Sequence, residues 1–424
     1  MDVTIHHAAP IRGRVRVPGD KSISHRAAIV GALGSGVTRV RGFLRADDCL
    51  RTVQCLRHLG VAIEETGEEL VIRGSAGRLQ APPRVLDAGN SGTTMRLLSG
   101  VAAAQPFATE IDGDASLRRR PMDRVAEPLR RMGATVTARD GVYPPLSIRG
   151  GRLRAITYEL PVASAQVKSA ILLAALLAEG NTEIVEPVMT RDHTERMLAH
   201  CGVRVTRENG RIRLSGGIPQ GRRIEVPGDI SSAAFLLAGA AAIEGSELTV
   251  EDVGLNPTRT GVLEVLGAMG AGVTAEVVHE RSGEPVGTVA VRGHRLRGVT
   301  IAGAQIPRVI DELPVLCMLA AAAEGRTVIR DAAELRVKES DRIAVLARGL
   351  RTLGATVTER PDGIEIEGGR VRGGVVDAGG DHRLAMAFAV AGLLAGEPVT
   401  VRGAETVQIS FPGFFETLRA FTEP

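Results

Sequence analysis

Aromatic residues are scarce in this 424-residue sequence, which has eight Phe, two Tyr and no Trp. With so few side chains that could stack on bases, a surface for single-stranded nucleic acid is not expected. The 52 Lys and Arg residues almost balance the 49 Asp and Glu residues. No block of like charge is long enough to suggest a basic tail. We therefore expect no nucleic-acid partner.

Cysteine is also rare, and Cys49, Cys55, Cys201 and Cys317 show neither C-x-x-C spacing nor the density of a disulfide-rich protein. This usage favours a reduced, cytoplasmic enzyme. The N-terminal segment carries charges every few positions and lacks the apolar core of a secretory signal. The longest apolar runs are Ala-rich and far shorter than a membrane-spanning helix requires, so no membrane partner is expected.

Signatures of bound metals and of the common cofactors are missing as well. The nine histidines show no H-x-x-x-H or H-E-x-x-H spacing. The sequence has no Walker loop, no G-x-G-x-x-G dinucleotide fingerprint and no G-x-S-x-G nucleophile elbow. We expect neither a metal ion nor another cofactor.

A repeated phrase is the main feature that is present. An amphipathic helix ends in an apolar residue, Gly and a small residue, and alternating Val residues follow. Gly after the last helical turn supplies the left-handed cap, and the change of period from 3.6 to 2 indicates a strand. The repeated glycines are Gly60, Gly133, Gly202, Gly270 and Gly354.

A sixth copy begins near residue 415, so six units of roughly seventy residues account for the chain. Each unit is interpreted as two helices and about four short strands, which predicts an α/β fold. The segment VPGD occurs at residues 17–20 and again at 226–229, three units apart. We predict one domain of residues 1–20 and 228–424 and a second of 21–227, with hinges near 18–21 and 226–229. The alternative is a single large domain.

Charged residues distinguish some copies from others, and function is expected there. Residues 20–26, DKSISHR, begin a helix that Asp20 can cap, and they place Lys21 and Ser22 in the first turn, where free backbone N–H groups favour an anion. Arg26 is four residues after Ser22 and shares its helix face. The copy at 229 lacks these charges. The alternative is a solvated Lys on an ordinary helix start.

Two further segments could bind anions through backbone and guanidinium groups. Residues 87–96, DAGNSGTTMR, form a Gly-rich loop with small hydroxyls that opens a helix and can surround an anion with backbone donors. Residues 114–121, DASLRRRP, place three arginines before Pro121, which we expect to start a helix. At most two of them can face a ligand. The alternatives are turn chemistry alone and a solvated basic turn.

Acidic and basic residues occur together in the C-terminal half. Residues 336–342, RVKESDR, place Lys338 and Arg342 four apart, with Glu339 between them. A salt-bridged surface helix is the alternative reading. Asp311 precedes an Ala-rich, buried helix, and residues 379–383, GGDHR, begin another helix with Arg383 in its first turn. Carboxylates beside cations and apolar walls are typical of proton-transfer sites. Together the clusters indicate small substrates with several negative charges.

Four of these motifs, in this order, resemble the EPSP synthase (3-phosphoshikimate 1-carboxyvinyltransferase) family: residues 18–26, 89–93, 336–342 and 381–383. The resemblance covers essentially the whole chain. It implies a two-domain inside-out α/β barrel of three βαβαββ units per domain, which closes around its substrates. It also implies transfer of the enolpyruvyl group of phosphoenolpyruvate to the 5-hydroxyl of 3-phosphoshikimate, with release of phosphate.

The resemblance assigns roles to individual residues. Asp311 is implied as the base for the 5-hydroxyl, Glu339 as the group for proton traffic at the methylene carbon, and Lys21 as a third catalytic residue. How Glu339 and Lys338 divide their work stays open. The residues implied for 3-phosphoshikimate are Lys21, Ser22, Arg26, Ser164, Ala165, Gln166, Arg191, Asp311 and Lys338. Those implied for phosphoenolpyruvate are Lys21, Gly92, Arg120, Gln166, Arg342 and Arg383.

One departure from part of the family is Ile409, which stands where a Lys precedes the Ser-Phe-Pro segment. Ala165 and Arg191 fit the same branch of the family. The sister UDP-N-acetylglucosamine enolpyruvyltransferases are a rival, but they typically have Asn where this chain has Ser22. They also usually have a Cys in the loop near 114–116. A non-catalytic repeat scaffold that binds anions is the second rival. The family default is a monomer.

Overall fold

A computed structural model describes residues 1–422 of the chain. Short 3₁₀ helices occur at Leu117–Arg119, Gly303–Gln305, Ala333–Val337 and Ala404–Ile409. The strands in chain order are β1 (Asp2–Ile5), β2 (Arg12–Arg16), β3 (Val37–Arg41), β4 (Ala62–Thr66), β5 (Glu69–Arg73), β6 (Leu86–Asp87), β7 (Ala108–Asp112), β8 (Thr135–Arg139), β9 (Tyr143–Arg149), β10 (Thr157–Glu159), β11 (Thr182–Val185), β12 (Val205–Glu208), β13 (Arg211–Leu214), β14 (Arg223–Glu225), β15 (Glu247–Gly254), β16 (Gly272–Arg281), β17 (Glu284–Arg292), β18 (Thr300–Ile301), β19 (Arg326–Ile329), β20 (Thr356–Arg360), β21 (Gly363–Glu367), β22 (Gly374–Asp377) and β23 (Val399–Arg402).

The α-helices alternate with these strands. They are α1 (Lys21–Leu33), α2 (Asp47–His58), α3 (Gly92–Ala103), α4 (Asp123–Met132), α5 (Ala165–Ala175), α6 (His193–His200), α7 (Ile230–Ala242), α8 (Gly261–Met269), α9 (Ile306–Val309), α10 (Leu313–Ala322), α11 (Arg342–Thr352), α12 (His382–Leu394) and α13 (Phe414–Thr422). In the part of the chain described, none of the helices has the length and apolar character needed to span a bilayer.

One strand order recurs in the sheets. In the sheet β6-β7-β9-β8, β6 and β7 are parallel, while β9 is antiparallel to both β7 and β8. The orders β10-β11-β13-β12, β18-β19-β21-β20, β14-β3-β5-β4 and β2-β15-β17-β16 repeat this plan, and β22-β23-β1 is a three-stranded version. The repeat predicted from sequence is therefore also a repeat of strand topology.

The repeated glycines have the conformation that their position requires. Gly60, Gly133, Gly202, Gly270 and Gly354 all have a positive φ, between 83° and 112°. A residue with a Cβ is strained there, so Gly can turn the chain from helix to strand at low cost. The predicted left-handed caps are confirmed.

The chain forms two compact units. Unit 1 contains Met1–Pro18, Pro227–Glu280 and the chain from Pro285 onward, and unit 2 contains Gly19–Val226 together with Arg281–Glu284. Two strands pair with strands distant in sequence, near the points where the chain passes from one unit to the other. β2 precedes α1 in the chain but pairs with β15, whereas β14 precedes α7 but pairs with β3. The prediction from sequence placed residues 281–284 in the same domain as their neighbours, and the repeat gave no sign that they group with unit 2.

Each unit has its own apolar core. In unit 2 the core contains α1, α3 and α5, and in unit 1 it contains α7, α10 and α12; almost all residues of these helices are buried. Helices that are buried on every face lie inside the unit and not at its surface. Because the helices are fixed by burial, the polar residues at their N-terminal ends are held in defined positions.

Candidate active site

Lys21 begins α1 in unit 2. Asp20 caps this helix, since its Oδ1 accepts a hydrogen bond of 2.8 Å from the backbone N of Ile23. A cation in the first turn opposes the helix dipole, and here an acidic partner offsets the conflict. Nζ of Lys21 lies 3.0 Å from Oδ2 of Asp48, and both side chains are mostly buried.

Arg26 lies one turn further along α1 and is buried. Its Nε donates to Oγ1 of Thr194 at 2.7 Å and its NH2 donates to Oγ of Ser169 at 2.7 Å. NH1 donates to the backbone oxygen of Ser22 at 2.9 Å. Desolvation lowers the pKa of Arg26 to about 10, against the attraction of Glu195, so the guanidinium stays charged at neutral pH.

Gly92 begins α3, which Ser91 caps by accepting a hydrogen bond from the backbone N of Thr94. Two guanidinium groups approach this glycine closely. A Cβ at position 92 would lie 2.6 Å from NH1 of Arg96 and 3.2 Å from NH1 of Arg120. Gly92 therefore leaves the space in which these two cations converge, at a helix N-terminus that itself favours an anion.

Of the three consecutive arginines, Arg120 is the buried one. Its NH2 donates to Oδ1 of Asn90 at 2.7 Å and to Oγ of Ser116 at 3.3 Å. Arg118 is exposed and pairs with Asp112. The prediction that Pro121 starts a helix is wrong. α4 begins two residues later, at Asp123, because the chain forms a 3₁₀ turn and then an extended residue before it.

The start of α5 is tied to the start of α3. Ser164 caps α5, accepting a hydrogen bond of 3.4 Å from the backbone N of Val167. Oε1 of Gln166 accepts a bond of 2.8 Å from NH1 of Arg96, and its Nε2 donates to Oγ1 of Thr93 at 2.9 Å. Ala165 is the first residue of α5.

Arg191 precedes α6 and contributes positive charge to the same region, because its field lowers the pKa of Arg26. Together these residues form the cluster of unit 2: Lys21, Ser22, Arg26, Gly92, Arg120, Ser164, Ala165, Gln166 and Arg191. Asp48 and Arg96 were not among the site residues predicted from the sequence. Arg96 lies within the Gly-rich segment that was recognised, whereas Asp48 gave no local signal.

Arg342 is the centre of the cluster in unit 1. It is buried at the first position of α11, and three carboxylates surround it. Nε lies 2.7 Å from Oδ2 of Asp381, NH2 lies 2.6 Å from Oε2 of Glu339, and NH1 lies 3.5 Å from Oδ1 of Asp311. These carboxylates raise the pKa of Arg342 despite its burial.

Arg383, in the first turn of α12, also contacts Asp311. NH2 of Arg383 lies 3.3 Å from Oδ2 of Asp311, and NH1 donates to the backbone oxygen of Asp311 at 3.2 Å. Asp381 caps α12 through the backbone N of Arg383 and so holds both arginines. Asp381 was part of a recognised motif but had not been selected.

Lys338 is not on a helix, so the alternative reading of residues 336–342 as a salt-bridged surface helix is wrong. Lys338 is extended after the 3₁₀ helix Ala333–Val337, and Asp341 caps the helix that Arg342 begins. Nζ of Lys338 lies 3.6 Å from Oε1 of Glu334. Burial lowers the pKa of Lys338, with Glu334 and Asp311 opposing the shift. The cluster of unit 1 contains Asp311, Lys338, Glu339, Arg342 and Arg383.

Neither cluster has the composition of a metal centre. Within residues 1–422, no group of three or more His, Cys, Asp or Glu side chains is arranged to hold a metal ion. Ile409 ends the 3₁₀ helix Ala404–Ile409 and is half-buried, with an apolar side chain where part of the family has a cation.

A duplicated α/β scaffold with guanidinium, ammonium and carboxylate groups at buried helix starts defines a class of enzyme that handles small anions. Comparison with known proteins identifies the family. The sequence model of EPSP synthase (3-phosphoshikimate 1-carboxyvinyltransferase) matches residues 5–418. The chain belongs to this family, so the resemblance inferred from the sequence and the predicted fold class are confirmed.

Individual relatives are similar over their whole length. The 3-phosphoshikimate 1-carboxyvinyltransferase of Alkaliphilus metalliredigens is 52% identical over 97% of each chain, and that of Desulforudis audaxviator is 52% identical over 99% of each. A solved EPSP synthase structure from Acinetobacter baumannii has a TM-score of 0.87 and 48% identity, covering 99% of this chain and 98% of that one.

Proposed function

We propose that the chain transfers the enolpyruvyl group of phosphoenolpyruvate to the 5-hydroxyl of 3-phosphoshikimate, giving 5-enolpyruvylshikimate-3-phosphate and inorganic phosphate. The observation that carries this proposal is the full-length similarity to relatives named for that reaction. The two clusters support it, because both substrates are small anions and both clusters are built from buried cations.

The cluster of unit 2 has the groups that 3-phosphoshikimate needs. Arg26 and Arg191 bind its phosphate, Ser22 and the start of α5 at Ser164–Gln166 contact phosphate and ring, and Lys21 binds both substrates. Arginine suits this task because its planar guanidinium can donate two parallel hydrogen bonds to a phosphate. From unit 1, Asp311 and Lys338 act on the shikimate ring.

Phosphoenolpyruvate carries a carboxylate and a phosphate, so it needs several cations. We assign Arg120 and Lys21, with the open space at Gly92 and the amide of Gln166, to this substrate from unit 2. Arg342 and Arg383 are assigned from unit 1. In this proposal both clusters contribute contacts to phosphoenolpyruvate.

The reaction is an addition followed by an elimination. Phosphoenolpyruvate becomes electrophilic at C2 when its methylene carbon, C3, is protonated, and we assign that proton to Glu339 with Lys338 beside it. Asp311 accepts the proton of the 5-hydroxyl while the oxygen of that hydroxyl forms a bond to C2. The product of this addition is a tetrahedral ketal phosphate. Loss of phosphate and of a proton from C3 then restores the double bond. Lys21 stabilises negative charge during both steps.

The two rivals differ from this proposal in what they bind or catalyse. The sister UDP-N-acetylglucosamine enolpyruvyltransferases are not favoured by the relatives found, and Ser22 and Ser116 also depart from their usual residues. A scaffold that only binds anions would not require Asp311 and Glu339 beside the same arginine. We further propose that the enzyme is a cytoplasmic monomer without a cofactor.

Release of inorganic phosphate tests the function. The purified chain is mixed with phosphoenolpyruvate and either 3-phosphoshikimate or UDP-N-acetylglucosamine. We expect phosphate with the shikimate ester and none with the sugar nucleotide. The reverse result would assign the chain to the sister enzymes, and no turnover with either substrate would favour the scaffold.

A further inference from the structure

Lys168 is a charged residue inside an apolar helix. It lies in the second turn of α5, in the segment VKSAILLAA, and its side chain has no exposed surface. A lysine in such a place needs anionic partners, because an isolated ammonium group is very costly to bury. Lys168 is not among the residues that we propose to bind either substrate.

Glu186, which follows β11, is one partner. Its Oε1 lies 3.0 Å from Nζ of Lys168 and accepts a hydrogen bond of 2.9 Å from the backbone N of Thr190. Its Oε2 lies 3.4 Å from NH2 of Arg207. This carboxylate is therefore fixed from several sides and anchors the ammonium group.

Glu195, in the first turn of α6, is the second partner. Its Oε1 lies 2.8 Å from Nζ of Lys168. Among residues 1–422, both of its carboxylate oxygens are buried without a hydrogen-bond partner, so the contact with Lys168 is an ion pair that lacks hydrogen-bond geometry. Lys168 thus places a positive charge directly beside Glu195, and the pair joins the start of α5 to the start of α6.

The neighbouring residues on the same two helices hold Arg26. Ser169 follows Lys168 and Thr194 precedes Glu195, and their hydroxyl oxygens accept the two hydrogen bonds from Arg26 described above. The two hydroxyls are 2.7 Å apart. Glu195 is also the carboxylate that most strongly favours the charged form of Arg26. Any change in the spacing of α5 and α6 at Lys168 therefore moves the groups that aim Arg26.

We propose that Lys168, held between Glu186 and Glu195, is a positioning residue that fixes α5 against α6 and thereby aims Arg26 at the phosphate of 3-phosphoshikimate. The inference rests on the proposed function, because it assigns Arg26 to that phosphate. Lys168 itself touches no substrate. A buried ion pair stabilises weakly, but losing one partner leaves an uncompensated charge and forces a local rearrangement.

The test compares Lys168→Met and Lys168→Arg with the double variant Lys168→Met/Glu195→Gln. Steady-state kinetics gives the KM of each substrate with the other saturating, and calorimetry gives the Kd of 3-phosphoshikimate without turnover. For Lys168→Met we expect a loss of about 10- to 100-fold in 3-phosphoshikimate affinity, the scale of a misplaced positioning group, and less than about 3-fold change in the KM of phosphoenolpyruvate. The double variant, which buries no unpaired carboxylate, regains part of the loss, as a coupled pair should.

Arg213→Met is the matched control, because it breaks a surface ion pair with Glu183 in the same unit. It should leave both constants unchanged. Equal changes in both substrates, or a lower melting temperature with unchanged 3-phosphoshikimate affinity, would overturn the proposal. If Lys168→Met does not fold, Glu195→Gln and Lys168→Arg are used instead, and their 3-phosphoshikimate affinity is compared with their KM of phosphoenolpyruvate in the same way. A wild-type chain that binds no 3-phosphoshikimate would refute the proposed function itself, which is a different result.

Discussion

Asp311 lies between the guanidinium groups of Arg342 and Arg383. An acceptor oxygen beside two cations can receive a hydroxyl proton while those cations hold an anionic substrate nearby. In our proposal Arg26 and its neighbours in the other cluster provide most of the binding of 3-phosphoshikimate. The role of Asp311 in proton transfer can therefore be tested separately from the binding of that substrate.

Replacing Asp311 by Asn should therefore remove proton acceptance and leave most of the binding. We expect turnover to fall by about 100-fold or more, the usual size of a general-base loss, with the Kd of 3-phosphoshikimate nearly unchanged. Stopped assays of phosphate release give the first quantity and calorimetry gives the second. Unchanged turnover would remove Asp311 from the role of base.

His25 gives a prediction of pH-dependent stability. It is buried in α1, and its Nδ1 lies 2.7 Å from Oγ1 of Thr52. Desolvation, with the charges of Lys21 and Arg26, lowers the pKa of His25 well below 6.5. Below about pH 6.5 the unfolded chain therefore binds a proton that the folded chain excludes, so stability is lost as the pH falls, by up to about 1.4 kcal/mol per pH unit for this group.

The His25→Gln variant should lack this contribution. Its free energy of unfolding in urea should fall less than that of the wild type between about pH 7.5 and about pH 5.5. His6 is exposed, and His6→Gln should follow the wild type. Parallel pH profiles for the wild type and His25→Gln would show that His25 is not held neutral.

The packing of the central helices determines whether a larger side chain fits at a given position. α3 and α5 lie so close at Gly100 that a Cβ there would be 2.1 Å from the backbone oxygen of Ala170. Backbone cannot move aside as a flexible side chain can, so the helices themselves would have to separate. Because both helices begin with candidate site residues, this contact fixes the site as well as the core.

We expect Gly100→Ala to lower the free energy of unfolding by about 1–3 kcal/mol, as overpacking does. Gly267 in α8 is the matched control, since it is exposed and a Cβ there meets nothing within 4 Å. Gly267→Ala should be neutral or stabilise by up to about 1 kcal/mol through helix propensity. Denaturant unfolding measures both variants. A neutral Gly100→Ala would contradict the close approach of α3 and α5.

Local elements were predictable from the sequence, and contacts between distant segments were not. The cap at Asp20 and the glycines after each helix depend on neighbours a few residues away, so their residue types suffice. The two hydroxyl groups that accept hydrogen bonds from Arg26 are 143 and 168 residues away in the chain. Such contacts depend on how repeats pack. The same holds for Asp48 beside Lys21, which a one-dimensional pattern cannot show.

Competing local bonds explain why residues 336–342 do not form the surface helix that was the alternative reading. The spacing of Lys338 and Arg342 fits a helix, but Asp341 between them accepts a hydrogen bond from the backbone N of Ala344 and starts the helix there. An Asp prefers this capping position to a helix interior, and it leaves Lys338 in the preceding loop.

At the scale of the whole molecule, we propose that the cluster of unit 1 and the cluster of unit 2 serve one reaction. Unit 2 supplies Arg120 and unit 1 supplies Arg383, and each is buried and held by its own hydrogen bonds. If both bind phosphoenolpyruvate, neither cluster is sufficient without the other. The repeat then explains the architecture, and the charged residues that differ between copies explain the chemistry.

The KM of phosphoenolpyruvate in the variants Arg120→Met and Arg383→Met, at saturating 3-phosphoshikimate, tests this claim most directly. The account predicts an increase of about 10- to 100-fold in each variant, the cost of a lost charge-assisted contact. The exposed Arg118→Met should show no change. An increase in one of the two variants and a wild-type value in the other would contradict the claim that both clusters hold the same substrate.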